Sequence, residues 1–302
     1  MRGYITEFLG EFEFDPRERV AVAIAYERIS ECKDARERFS RIVSGYEKNV
    51  KYITDELVSE VKIIADAAKI HQYTAQMVLF IALTKKLRER LGQLKVSKKN
   101  IIGTISDFKY KIRECEAIYG MVGIQQWEWY VRFFDLRIIA IGRLQFEVKE
   151  YNGKTYKKGD KVLTKGDTVL GIHIPRSGEP LDEKLCNRAY KEAKAFFCPL
   201  LGVTDIAFYC VSWLLYEKNR EFCSEGSNIV KFMNRFDIVE TVECINPNAT
   251  TMPFIFLKKC GTPTNELPRD TSLRRAYAEH LEKGGFLGEG KGIFFLQEPQ
   301  KN

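Results

Sequence analysis

The sequence predicts an α+β protein, in which an all-helical N-terminal part precedes a β-sheet flanked by helices. Three observations carry this. Residues 15 to about 120 hold one apolar stripe of helical period after another and no strand pattern. From Arg143 onward, short alternating or wholly apolar runs are interleaved with helical stripes. The change of character falls at Gly120 to Gly123, with no repeat and no low-complexity linker, and divides the chain into 1–121 and 122–302.

The helical part opens at Asp15-Pro16-Arg17-Glu18, where a capping residue, a proline suited to the first turn and an acid three residues after the cap coincide. Val22, Ala25, Tyr26 and Ile29 form the apolar face of that helix. Ala35, Phe39, Ile42, Val43 and Tyr46 mark a second, ending near Gly45, and Leu57, Val61, Ile64, Ala65 and Ala68 a third. The fourth, Thr74 to Leu91, is nearly all apolar in its first half and demands burial against the others. That demand, with no Pro/Ser-rich linker at the junction, predicts a helical unit docked on the sheet rather than tethered to it. Ile105, Phe108, Ile112, Cys115 and Tyr119 stripe a fifth helix, closed by Gly120. His71, just before a helix, reads as a cap or a core partner, and the charge runs at 85–90 and 98–99 as solvated faces.

Gln125 to Phe134 then reads as a short aromatic helix, and Arg143 to Val148 as a half-buried strand with Leu144, Phe146 and Val148 on one side. Tyr151 to Asp167, rich in Lys and Gly, reads as an exposed hairpin excursion. Thr168 to Ile174 is a strand stopped by Pro175 and the Arg176-Ser177-Gly178 turn. Leu181, Leu185, Ala189, Ala193 and Phe196 follow on one helical face. A strand that feeds a helix through a tight polar loop suits an anion, which free N–H groups at a helix start can cradle. Ile206 to Leu215 is an apolar run of the kind buried on both faces, and Ser227 caps a helix bearing Ile229, Phe232, Met233 and Phe236. Asp237 to Cys244 and Thr251 to Leu257 read as strands about an Asn246-Pro247-Asn248 turn. A last helix, Ser272 to Lys283, leads through a glycine-rich turn to a short strand, Ile293 to Leu296.

Composition narrows the function classes. With 45% hydrophobic and 29% charged residues the chain folds. Its net charge of +7 admits a polyanionic partner, but the cations are spread along the chain beside acids, which suits an anionic coenzyme as well as a nucleic acid. The Lys-rich hairpin lacks the clustering and interleaved aromatics of a nucleic-acid surface, so no nucleic-acid partner is expected. The N-terminus is acidic where a signal peptide needs an apolar core, and the longest apolar run, Met77 to Leu83, is far too short to span a bilayer. A cytoplasmic protein without a membrane partner is expected. Its eight cysteines form no C-x-x-C pair and read as reduced thiols with no metal site.

The order of strands and helices, with an anion-suited loop after the second strand, resembles the GNAT acyltransferase superfamily. More closely, the chain is similar to bacterial acyltransferase-domain proteins that join a helical N-acyltransferase N-terminal domain to a GNAT-like C-terminal domain. The residues carrying the likeness are Gly142 to Glu147, His173-Ile174-Pro175, Ser212 to Leu215, Ser227-Asn228-Ile229, Leu267-Pro268 and Thr271-Ser272-Leu273. The resemblance implies a mixed, GNAT-like sheet in residues 122–302 and an acyl-coenzyme A cosubstrate, most simply acetyl-coenzyme A. It implies transfer of the acyl group to an amine, a small molecule or a peptide, by direct attack. It puts the coenzyme pyrophosphate on Ile174, Pro175, Arg176, Ser177 and Gly178, the pantetheine arm between the Thr168 and Ile206 strands, and the acceptor near Ser212, Trp213 and Asn228.

Such an attack needs a base. Glu147 and His173, on the polar sides of strands expected to line the cleft, are the candidates, with Glu147 put first. The bland readings are a core histidine bonded to a neighbouring strand and a Glu147 paired with Arg143 or Arg137. Ser212 could equally bond backbone, and Ser227 is a helix cap. The loop also departs from the family pattern, with one glycine, and Asp182 and Glu183 at the helix start repel phosphate. A second reading is therefore a GNAT-fold module without catalysis that binds a peptide or small ligand.

Overall fold

The structure, a computed structural model, describes residues 1–244 and 251–296. It comprises two compact units, Met1–Ala140 and Ile141–Asn302. The first contains α1 (Arg2–Glu11), α2 (Pro16–Glu31), α3 (Lys33–Lys48), α4 (Leu57–Ala67), α5 (Gln72–Gln93), α6 (Lys98–Tyr119) and α7 (Trp127–Phe134). The cap at Asp15 forms as the sequence dictates: Glu18 N–H donates to Asp15 Oδ1 and Asp15 N–H to Glu18 Oε2, both at 2.8 Å. α5 has no polar side between Ala75 and Leu83 apart from Gln76, and it is buried there all round, touching each of the other six helices. Its Phe80 ring lies 5.0 Å from those of Trp127 and Tyr130. His71 caps α5, its Nδ1 accepting from Tyr73 N–H at 3.1 Å. α3 does not stop near Gly45 but runs to Lys48. The glycine is there because the Tyr52 ring sits 2.2 Å from where a Cβ would be. Gly120, at φ +73°, ends α6 in the left-handed region that an unbranched backbone tolerates.

β1 (Ile138–Ile141), too short to announce itself, turns through Gly142 (φ +60°) into β2 (Leu144–Glu150). There follow β3 (Tyr156–Lys158), β4 (Lys161–Leu163), β5 (Thr168–His173), α8 (Glu183–Leu201), β6 (Ala207–Ser212), α9 (Asn219–Phe222) and α10 (Asn228–Met233). The chain closes with β7 (Asp237–Cys244), α11 (Thr251–Phe256), α12 (Ser272–Glu282) and β8 (Leu287–Phe295). The sheet is mixed, in the order β1-β2-β5-β6-β8-β7, with β5 and β6 parallel. β3 and β4 form the expected hairpin, tied down by Lys158 and Tyr156 on Asp237 and by Lys161 on Asp205.

Two elements differ from expectation. The segment expected as a strand at Thr251 to Leu257 is the helix α11 (Thr251–Phe256): Thr251, Met252, Ile255 and Phe256 are the buried positions, a period that six residues are too few to reveal, and Pro253 is tolerated in a first turn. The glycine-rich turn before Ile293 is instead the first half of β8, which runs between β6 and β7. Its Gly288, Gly290 and Gly292 are imposed by packing, since Cβ atoms there would fall 2.5, 2.1 and 2.7 Å from Tyr216, the Leu215 carbonyl and Phe236. The Asn246-Pro247-Asn248 turn lies outside the described residues.

Register assigns the two faces of the sheet. Glu147 is opposite Gly171, and Gly171 opposite Tyr209, so these share a face with Gln145, Lys149, Val169, His173, Ala207 and Val211. Tyr151 and Leu163, flanking the hairpin strands, cover one end of that face over Val169, Ala207, Tyr209 and Ile293. The other face carries Phe146, Phe208 and Phe294, against which α8 lays Tyr190. Phe208 and Phe294 stack at 4.8 Å, and Tyr190 meets Phe294 edge-on at 4.9 Å.

Candidate active site

The ladder between β5 and β6 holds only Val169, Leu170 and Gly171 against Ala207, Phe208 and Tyr209. Beyond it both strands run on, to His173 and to Ser212. The two base candidates meet there. Glu147 and His173 are diagonal neighbours across β2 and β5, and His173 Nε2 lies 2.9 Å from Glu147 Oε2. Gly171, directly opposite Glu147, leaves its place on this face to the neighbouring Lys149 side chain. A Cβ there would come within 2.8 Å of Lys149 Cδ. The carboxylate is 3% exposed and the imidazole 24%. An Nε2–H that donates to the carboxylate fixes the tautomer and leaves Nδ1 as the basic nitrogen. The carboxylate is the more buried member of the pair and the imidazole the more accessible. Tyr209, over whose ring Lys149 Nζ lies at 6.0 Å, closes this face; burial pushes its phenol up to about 12, so it stays neutral.

Arg143, expected among possible partners of Glu147, reaches the loop after β5. Buried at the start of β2, its guanidinium donates to the carbonyls of Pro175 (3.1 Å), Glu179 (2.9 Å) and Pro180 (3.1 Å) and so gathers the loop after β5. Arg137 pairs with Asp135 at 3.4 Å. In that loop Ile174, Pro175 and Ser177 are half-buried, and Gly178 has φ +84°. Ser177 Oγ accepts from Glu179 N–H at 3.3 Å, and Arg176 donates to the carbonyl of Phe254, at the end of α11 that adjoins α12. The start of α8 is already capped: Asp182 Oδ1 accepts from Lys184 N–H at 2.9 Å and Leu185 N–H at 3.0 Å.

The acceptor candidates do not gather at the pair. Ser212 is three residues past Tyr209 and hence on the opposite face, where its Oγ accepts from Leu214 N–H at 3.1 Å and caps a one-turn 3₁₀ helix. Trp213, in that turn, packs edge-on against Tyr277 at 6.2 Å, and its carbonyl accepts from Asn219 Nδ2 at 2.8 Å. Asn228 is exposed in the first turn of α10, behind the Ser227 cap. Among the described residues no group of His, Cys, Asp or Glu is placed to hold a metal ion, and no helix is long and apolar enough to cross a membrane.

Comparison with known proteins agrees with this architecture. Residues 4–136 match the N-acyltransferase N-terminal domain, and residues 138–294 the GNAT-like C-terminal domain. No curated protein matches the sequence. Among solved structures, an acyltransferase in complex with decanoyl-CoA is 20% identical with a TM-score of 0.73, over 97% of this chain and 87% of that one. An acyltransferase in complex with CoA and 10C-teicoplanin has the same identity and coverage and a TM-score of 0.72. A third, with decanoyl-CoA and teicoplanin, is 19% identical with a TM-score of 0.64, over 97% of this chain and 99% of that one.

Proposed function

This chain belongs to the family that joins an N-acyltransferase N-terminal domain to a GNAT-like C-terminal domain, and from that premise we propose that it moves an acyl group from acyl-coenzyme A to an amine. The observation that carries the reading is the Glu147–His173 pair just past the end of the short β5–β6 ladder. The pantetheine arm enters where those strands part, with its phosphates beside Pro175 to Gly178 in the loop that Arg143 gathers. The amine nitrogen bonds to the thioester carbon, the carbon–sulfur bond breaks, and the coenzyme leaves through its sulfur. His173 takes the proton that the ammonium must lose, and Glu147 holds the ring and balances its new charge. We place the reaction in the cytoplasm, where the donor is made.

Acetyl is the smallest donor this reading admits. Octanoyl- and decanoyl-CoA, bound by acyltransferases of the same fold, are longer alternatives. The test is product detection by mass spectrometry with the full chain, a donor series from acetyl to decanoyl, and an acceptor set of small amines, peptides and teicoplanin. Amide formation supports the proposal. If coenzyme A raises the melting temperature but no donor–acceptor pair gives an amide, the chain is a binding module instead.

A further inference from the structure

The outward side of α8 is a stripe of unneutralised cations. Lys184, Arg188 and Lys191 stand at i, i+4 and i+7, so they share one narrow sector of the helix and span about 10 Å along it. All three are exposed, and none makes an ion pair among the described residues. Like charges at these spacings weaken a helix rather than support it. Glu192 stands to one side of the stripe and Glu183 to the other, where α8 borders α10. Beyond Glu183 the exposed Lys231 and Arg235 extend the positive surface. Leu185, 39% exposed, gives the stripe an apolar neighbour.

The stripe begins in the first turn of α8, directly past the loop beside which the donor's phosphates are placed. That loop offers little charge of its own. Arg143 is engaged by the carbonyls of Pro175, Glu179 and Pro180, and Arg176 donates to the Phe254 carbonyl. Asp182 takes the Lys184 and Leu185 N–H groups. Coenzyme A brings a diphosphate and a ribose phosphate, whereas a pantetheine arm attached to a carrier protein brings a single phosphodiester. The loop suits the second. The charge it lacks is laid out along α8 at helical spacing, a match for acids on the face of a carrier.

We propose that the outward side of α8 is a docking face for an acidic acyl carrier protein, whose pantetheine arm runs past the loop to His173. The inference rests on the acyl-transfer reading, leaves the arm and its phosphate where that reading puts them, and names a protein as the donor's carrier. A nucleic acid or a lipid surface has no use for nearness to the arm's entry, and Glu183 and Glu192 repel either. Calorimetry on the full chain at low ionic strength tests it, with a phosphopantetheine-loaded acyl carrier protein as one probe and coenzyme A as the other. The carrier should bind, and its affinity should fall steeply as salt is added. Lys184→Glu, Arg188→Glu and Lys191→Glu together should weaken the carrier about 10- to 100-fold and leave coenzyme A unchanged. Unaltered carrier affinity in that variant, or an equal loss for both probes at an intact melting temperature, overturns the inference and leaves the proposed function standing. So does a wild-type chain that binds coenzyme A but not the carrier. A chain that binds neither probe defeats the proposed function and the inference with it. Should the triple variant melt early, Arg188→Gln alone, read in the same way, decides the outcome.

Discussion

Glu147→Gln keeps the size of the side chain and an acceptor for His173 while removing the charge. The Oε2–Nε2 distance of 2.9 Å and the 3% exposure of the carboxylate describe a hydrogen bond of ordinary length whose acceptor is shielded from water. With a charged partner such a bond contributes about 1.5–3 kcal/mol. Its full strength arises only as the imidazole takes the proton of the amine, so the loss falls on the transition state and not on donor binding. At about 1.36 kcal/mol per decade, kcat should drop roughly 10- to 150-fold with coenzyme affinity unchanged. His173→Gln removes the acceptor itself and should cost about 10²–10⁴-fold. Initial rates at saturating donor, neutral pH and a fixed amine give both numbers. Repeating them at rising pH, where more amine arrives unprotonated, should restore His173→Gln. A larger defect in Glu147→Gln than in His173→Gln would reverse the roles and make the carboxylate the base. Full turnover in both variants would remove the pair from the chemistry altogether.

Arg143→Met takes a buried donor from three loop carbonyls, and it should raise the KM for the donor while leaving that for the acceptor alone, at about 1–3 kcal/mol of stability; an unchanged donor KM would make the loop self-supporting. Gly290→Ala sets a Cβ 2.1 Å from the Leu215 carbonyl and should destabilise the chain by several kcal/mol in denaturant. Gly171→Ala meets chiefly the flexible Lys149 side chain, so its melting point should hold. Equal melting points for the two would refute the packing account of β8. In Asp205 and Asp237 burial raises the carboxyl pKa, but the Lys194, Lys161, Lys158 and Tyr156 hydrogen bonds outweigh it and hold both below the usual range. Depressed folded values mean that the stability is present above about pH 4 and lost as pH falls through them. Hydrogen exchange across residues 154–165, corrected for intrinsic rates, should quicken as pH falls below about 4, and in Asp205→Asn with Asp237→Asn at neutral pH. Unaltered protection would show that the hairpin is held by Tyr151 and Leu163 alone.

Long elements were legible because their signals repeat. The Asp15 cap, the apolar half of α5 and the stop at Gly120 each rest on several residues that agree. α11 and β8 were not, for opposite reasons: six residues cannot show a period, and glycines required by close packing look like glycines required by a turn. The candidate site divides in the same way. Glu147 and His173 stand out singly as polar positions on strands, but whether they meet depends on register, and a slip of one residue would send them to opposite faces. Nothing local to β2 fixes that register. It depends on which residue of β5 lies opposite Glu147. The same parity sends Ser212 away, since an apolar run buried on both faces hides which of its residues point where. A catalytic reading of this chain therefore stands on the β2–β5 pairing more than on either residue. A variant that shifts the pairing while keeping Glu147 and His173 should lose turnover as fully as one that lacks them.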